Sequence, residues 1–110
     1  MKNVQNMSLD QKLMELQQCL SKAKVGAEYP GSVEYEFLLK AKLGDGRDDK
    51  LAYYSNLLKN ANQLLGGRLN DLEYDVRENA IRDLNNKLDD ALLVFDGYEK
   101  VEQVQQGLGR

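Results

Sequence analysis

Apolar positions recur at helical spacing along most of the chain. The longest series is Leu69, Leu72, Val76, Ala80, Leu84, Leu88, Ala91, Phe95 and Tyr98. Its mean step lies close to the α-helical period of about 3.6 residues. A coiled-coil seam averages about 3.5 and winds left-handedly, so this spacing predicts one straight amphipathic helix from Asn70 to about Asp96. Asn70, with Glu73 three residues on, is the expected cap.

Three further helices precede it. Ser8-Leu9-Asp10-Gln11 reads as a capping box. The seam that follows, Leu9, Leu13, Leu16, Leu20 and Ala23, predicts a helix over 9–24. Tyr29-Pro30-Gly31 forms a turn, because Pro presets φ and Gly accepts positive φ. Ser32 then caps a short helix over about 33–43 through Val33, Phe37, Leu38 and Ala41. Gly44-Asp45-Gly46-Arg47 separates it from a helix over about 49–65 with a wide apolar face on Leu51, Tyr54, Leu58, Ala61 and Leu65. Gly66-Gly67 stops this third helix. So short a connection predicts that helices 3 and 4 pair as an antiparallel hairpin.

The fold expected is all-α: one domain over 1–110, a small antiparallel bundle of three longer helices and one short helix, ending in a long C-terminal helix. Residues 1–7 and 107–110 are expected to be flexible. Gly97 leaves two readings open. It closes the last helix, with Tyr98 folding back on Leu93. Alternatively the helix runs on through Tyr98, Val101 and Val104 to Gln106, which the unbroken phase of the stripe favours.

Composition narrows the chemistry. The chain has no His and a single Cys. That removes His-based acid–base and nucleophilic catalysis, His-containing metal sites, CxxC redox chemistry and internal disulfides. Gly44 to Asp49 fits neither a dinucleotide fingerprint nor a calcium loop, since the third Gly, the βαβ context and the closing Glu are missing. Catalytic, cofactor and metal residues are therefore expected to be none. Cys19, beside the first seam, reads as a small buried hydrophobe. With no apolar leader and no membrane-length segment, a cytoplasmic protein without membrane contact is expected.

Net charge is −3, unevenly spread: residues 1–68 hold ten Lys and Arg against eight Asp and Glu, and residues 69–110 five against ten. The acidic last helix is a poor surface for nucleic acid. Glu78 with Arg82, and Asp83 with Lys87, stand at i,i+4 spacing in the favourable order.

The departure that points to function is Leu92-Leu93-Val94-Phe95, which covers the whole circumference of a helix. Either the bundle encloses this turn, by helix 2 and the 26–31 connection, or it meets another chain. The greater length expected of helix 4 would leave its C-terminal end overhanging. Leu92, Leu93, Val94, Tyr98 and Val101 are thus the expected partner-binding residues, for a protein partner or a second copy in a homodimer. Six Tyr against two Phe and no Trp fit half-wet rims, including interfaces. The function class expected is a non-enzymatic helical protein–protein interaction module: an adaptor, secretion-type chaperone, inhibitor or immunity-like protein. The rivals are a small helical enzyme using Arg and Glu on the long helix, and a weak nucleic-acid binder using the N-terminal Lys residues.

Overall fold

A computed structural model describes residues 1–102. Four α-helices dominate: α1 (Leu9–Glu28), α2 (Val33–Lys40), α3 (Arg47–Leu65) and α4 (Tyr74–Leu93). One minimal parallel sheet joins β1 (Lys2–Asn3) to β2 (Tyr98–Glu99). The all-α class follows from the sequence; the arrangement differs from expectation in several places.

Ser8 caps α1, its Oγ accepting from the Gln11 amide at 3.2 Å. Ser32 caps α2 in the same way, accepting from the Tyr35 amide at 3.0 Å. Both caps satisfy an amide that has no partner inside the helix. α1 runs to Glu28, past the expected end at 24, and takes Gly26 into its interior. Gly26 is there because α2 passes so close that only a residue without a side chain fits. Lys22 Nζ sits 4.6 Å from the Phe37 ring centroid. The two helices therefore fold back on each other along the second half of α1.

α4 is shorter than the stripe predicts. Arg68–Asp71 is a separate 3-10 turn and Leu72 is extended, so Asn70 caps nothing. Leu69 and Leu72, three apart, share a side in a 3-10 turn as they do in an α-helix, and spacing alone cannot separate the two. At the other end Val94 closes α4, and Gly97, at φ 102°, turns the chain into β2. A helix continuing past Gly97 is thus not formed. Val104, Gln106 and residues 107–110 lie outside the described residues. α1, α3 and α4 have 20, 19 and 20 residues, so the extra length expected of the last helix is absent.

The expected tight hairpin of helices 3 and 4 is also replaced. Helix–helix packing runs through α1, which contacts α2, α3 and α4, while α3 and α4 share little. The eight residues between Leu65 and Tyr74 are a jointed link rather than a tight turn. Buried Leu16, Cys19 and Ala23 mark α1 as the central element.

Within residues 1–7, Val4 and Met7 pack into the core. Val4 is fully buried and Met7 is 8% exposed. These two apolar residues anchor a 3-10 turn over Val4–Asn6 that delivers β1 to β2.

Candidate functional site

The five residues expected to bind a partner do not form one surface. Leu92 is fully buried in the protomer. Phe95 beside it is stacked on Phe37, centroids 5.6 Å apart and rings 9° from parallel. Leu93, Val94 and Tyr98 are half-buried against the core. The Val94 carbonyl accepts from the Lys42 amide at 2.7 Å, so the segment after α2 covers this end. Only Val101 is open, at 51% exposure. Its backbone is held by Asn3, whose Oδ1 accepts from the Val101 amide at 3.0 Å and whose Nδ2 donates to the Val101 carbonyl at 3.1 Å. Of the two readings of this apolar turn, enclosure by α2 accounts for the burial of Leu92 and Phe95.

The same region holds a polar cluster that joins the two ends of the described chain. Tyr98 Oη donates to Glu15 Oε1 at 2.5 Å. Lys2 Nζ donates to Glu15 Oε2 at 2.8 Å. Cys19 Sγ lies 3.5 Å from Tyr98 Oη. The Lys2 ammonium, and after it the Tyr98 hydroxyl, hold the Glu15 carboxyl below the ordinary carboxylate range. Burial, and then the bond to Glu15, push the Tyr98 phenol far up. Burial pushes the Cys19 thiol up as well. A buried thiol kept protonated is a poor nucleophile. The cluster, beside a cleft of about 550 Å³, is a terminal clasp that keeps its protons in place. Of this cluster the sequence singles out Cys19 on α1; Glu15 stands one helical turn before it. Tyr98, 83 residues from Glu15, was not connected to them by any local pattern.

Most charges of α4 lie on its outer face; Asp89 is buried and Arg77 half-buried. Lys87 Nζ pairs with Asp83 at 3.0 Å, at the expected spacing. Arg82 instead donates to Asn79 Oδ1 at 3.2 Å, leaving Glu78 aside. Gly44–Gly46 is a 3-10 turn leading into α3. Among the described residues no group of three or more His, Cys, Asp or Glu side chains is placed to hold a metal ion, and no helix is long and apolar enough to cross a membrane.

An apolar cleft lies between α1 and α3. It is a cleft of about 370 Å³ to which Leu20 and Ala27 of α1 and Leu51, Ala52 and Leu58 of α3 contribute the apolar surface. Gln17, Ser21, Lys24 and Ser55 supply its polar groups. Its origin is physical: α3 carries the wide apolar face that the sequence predicts, but α1 alone packs closely along it. Leu51 and Leu58 are consequently left half-buried. At a rise of about 1.5 Å per residue the α3 wall, Leu51 to Leu58, is about 11 Å long, or two helical turns. Among known proteins, no family model, no curated protein and no solved structure matches this chain.

Proposed function

We propose that this protein is a non-enzymatic helical module that binds another protein chain, and that the α1–α3 cleft is its docking surface. The observation that carries the reading is the cleft itself: an open apolar floor with a polar margin, two helical turns long, on the central helix of the fold. Grooves of this kind accept an amphipathic helix on its apolar face. An extended peptide fits poorly, because neither wall offers a free strand edge to satisfy its amides. Exposed Tyr29, Tyr53 and Tyr74 add side chains that are dry at one end and wet at the other, as interfaces favour. The conspicuous titratable groups elsewhere, Glu15, Tyr98 and Cys19, are engaged with one another. Adaptors, chaperones of the secretion type, inhibitors and immunity-like proteins all work through such surfaces.

The test is photo-crosslinking in the native host from a benzoylphenylalanine placed at Ser55. Covalent protein adducts are expected, and Ala52→Trp, which fills the cleft from an exposed position, should remove them. A Ser55 probe that captures no protein would refute the binding role of the cleft.

A further inference from the structure

α3 is held to the body differently from the other helices. A buried ion pair of Lys12 with Asp89 ties α4 to α1, and Phe37 of α2 stacks on Phe95. Among the described residues, no ion pair and no side-chain hydrogen bond ties α3 to another element. Its hold is apolar packing on α1. Only Leu57 and Ala61 of its 19 residues are buried, both in its second half. From Arg47 to Asn56 no residue is buried, and Leu51 and Tyr54 are half-buried. Both ends of the helix are glycine joints. Leu43, 1% exposed, anchors the chain in the core. Gly44 follows at φ 66°, a conformation that L side chains rarely adopt. Gly46 then opens α3 with no side-chain cap. At the far end Gly66 and Gly67 lead into the turn over Arg68–Asp71. A Cβ at Gly46 or Gly67 would meet nothing within 4 Å, so no neighbour braces either joint.

We infer that α3 is a movable wall of the cleft: it pivots about Leu57 and Ala61, and its first half swings towards α1 or away from it. A rod jointed at both ends and packed at one place moves as a body about that place. The swinging half carries Leu51, Ala52 and Ser55 of the cleft. Swung inward, Leu51 approaches Leu20 and Ala27, and the small side chains of Ser21, Ala52 and Ser55 let the two helices close up. That buries apolar surface in the free protein. Swung outward, the same side chains face an incoming amphipathic helix, which replaces the burial given up. The motion belongs to the free protein; its use as a gate rests on the reading of the cleft as a docking surface.

Double electron–electron resonance on the full chain, without any partner, measures the motion. Nitroxides go on pairs of exposed positions in a Cys19→Ala background, with circular dichroism confirming that each variant is folded. Met14→Cys with Tyr53→Cys spans α1 and the swinging half of α3. Met14→Cys with Gln63→Cys spans α1 and the pivoted half, and Met14→Cys with Asn86→Cys spans α1 and α4. The first pair should give a distance distribution at least about twice as wide as the other two. Ala52→Trp, wedged in the cleft, should leave only its longer distances. Hydrogen exchange should show the α3 amides protected throughout, since a swinging rod keeps its internal hydrogen bonds. Equal widths for the three pairs, or a first pair unchanged by Ala52→Trp, would overturn the inference. So would a wide first pair with α3 amides exchanging as fast as an unstructured peptide, because the helix would then be melting and not swinging. Failure here is distinct from failure of the docking reading: Ser55 adducts in the host together with a fixed α3 would mean a docking cleft with a rigid wall.

Discussion

Lys12 and Asp89 form an ion pair inside the protein, Nζ to Oδ1 at 2.7 Å, with only 7% and 6% of the two side chains exposed. It ties α1 to α4, and Lys12 Nζ also donates to Asn85 Oδ1 at 3.1 Å. Beyond the Lys12 contact, Asp89 Oδ1 has no hydrogen-bond donor. The carboxylate therefore depends on Lys12 for its compensation. Removing one partner of such a pair strands a buried charge and costs about 3–5 kcal/mol, while replacing both by apolar groups of similar size is often neutral. Lys12→Met should lose stability of that order in urea titration, and Lys12→Met with Asp89→Leu should recover most of it. A single variant as stable as wild type would mean that Asp89 is solvated without Lys12.

The Glu15 clasp gives stability a defined dependence on acid. Its pKa is lowered in the folded protein from an ordinary value of 4.5, first by Lys2 and then by Tyr98. A group depressed on folding binds its proton more readily in the unfolded chain, so its contribution is complete above pH 4.5 and is lost as pH falls through the folded value. Glu15→Gln should therefore be less stable than wild type at neutral pH, and the two should converge below pH 4.5. Urea midpoints of both proteins across that range measure it. Tyr98→Phe removes one of the two donors to Glu15 and should give part of the same effect. Parallel pH profiles for wild type and Glu15→Gln would exclude the clasp from acid stability.

Gly26 holds α1 and α2 at their closest approach. A Cβ placed there would stand 2.4 Å from the Glu34 carbonyl oxygen and 2.9 Å from the Tyr35 amide nitrogen. Both are backbone atoms and cannot rotate away, so the helices must part. Gly26→Ala should cost about 1–3 kcal/mol as overpacking, read as a drop in Tm by thermal circular dichroism. Gly46→Ala is the control: its Cβ meets nothing within 4 Å, its φ is −93°, and its change should stay within about 0.5 kcal/mol. Helix propensity alone would favour Ala at position 26, so a Gly26→Ala variant as stable as wild type or more so would exclude the contact.

The helices themselves were legible, because capping serines and 3.6-residue periodicity act locally. Ser8 and Ser32 cap where the sequence places them. What local patterns do not encode is which faces meet. Steps of four from Val76 through Ala80 and Leu84 to Leu88 drift by about 40° each, at about 100° per residue. Val76 therefore departs from the buried side and is 50% exposed, while Leu88 is fully buried. Ile81, off the expected stripe, shares more of that side and is half-buried. Gly26 read as a connector because its role depends on α2. The clasp and the cleft each join residues from separate elements, and the cleft exists only because α1, not α4, packs on α3. The apolar turn at Leu92 left enclosure and docking both open because nothing in the sequence showed that Phe37 of α2 would meet Phe95.

That turn supplies the last prediction, since burial and docking demand opposite outcomes. Leu92 is fully buried and Phe95 1% exposed. Leu92→Asp should place an unpaired carboxylate in the core and unfold the domain, a loss of about 4 kcal/mol or more. Leu93 is half-buried against the core, so Leu93→Asp should cost about 1–3 kcal/mol by losing part of that packing. Val101, 51% exposed, is held through its backbone. Val101→Asp should therefore change stability by no more than about 0.5 kcal/mol. Urea denaturation of the three variants should give that order. If Leu93→Asp keeps wild-type stability and abolishes the Ser55 crosslinks, the docking surface lies at the end of α4 and not in the α1–α3 cleft.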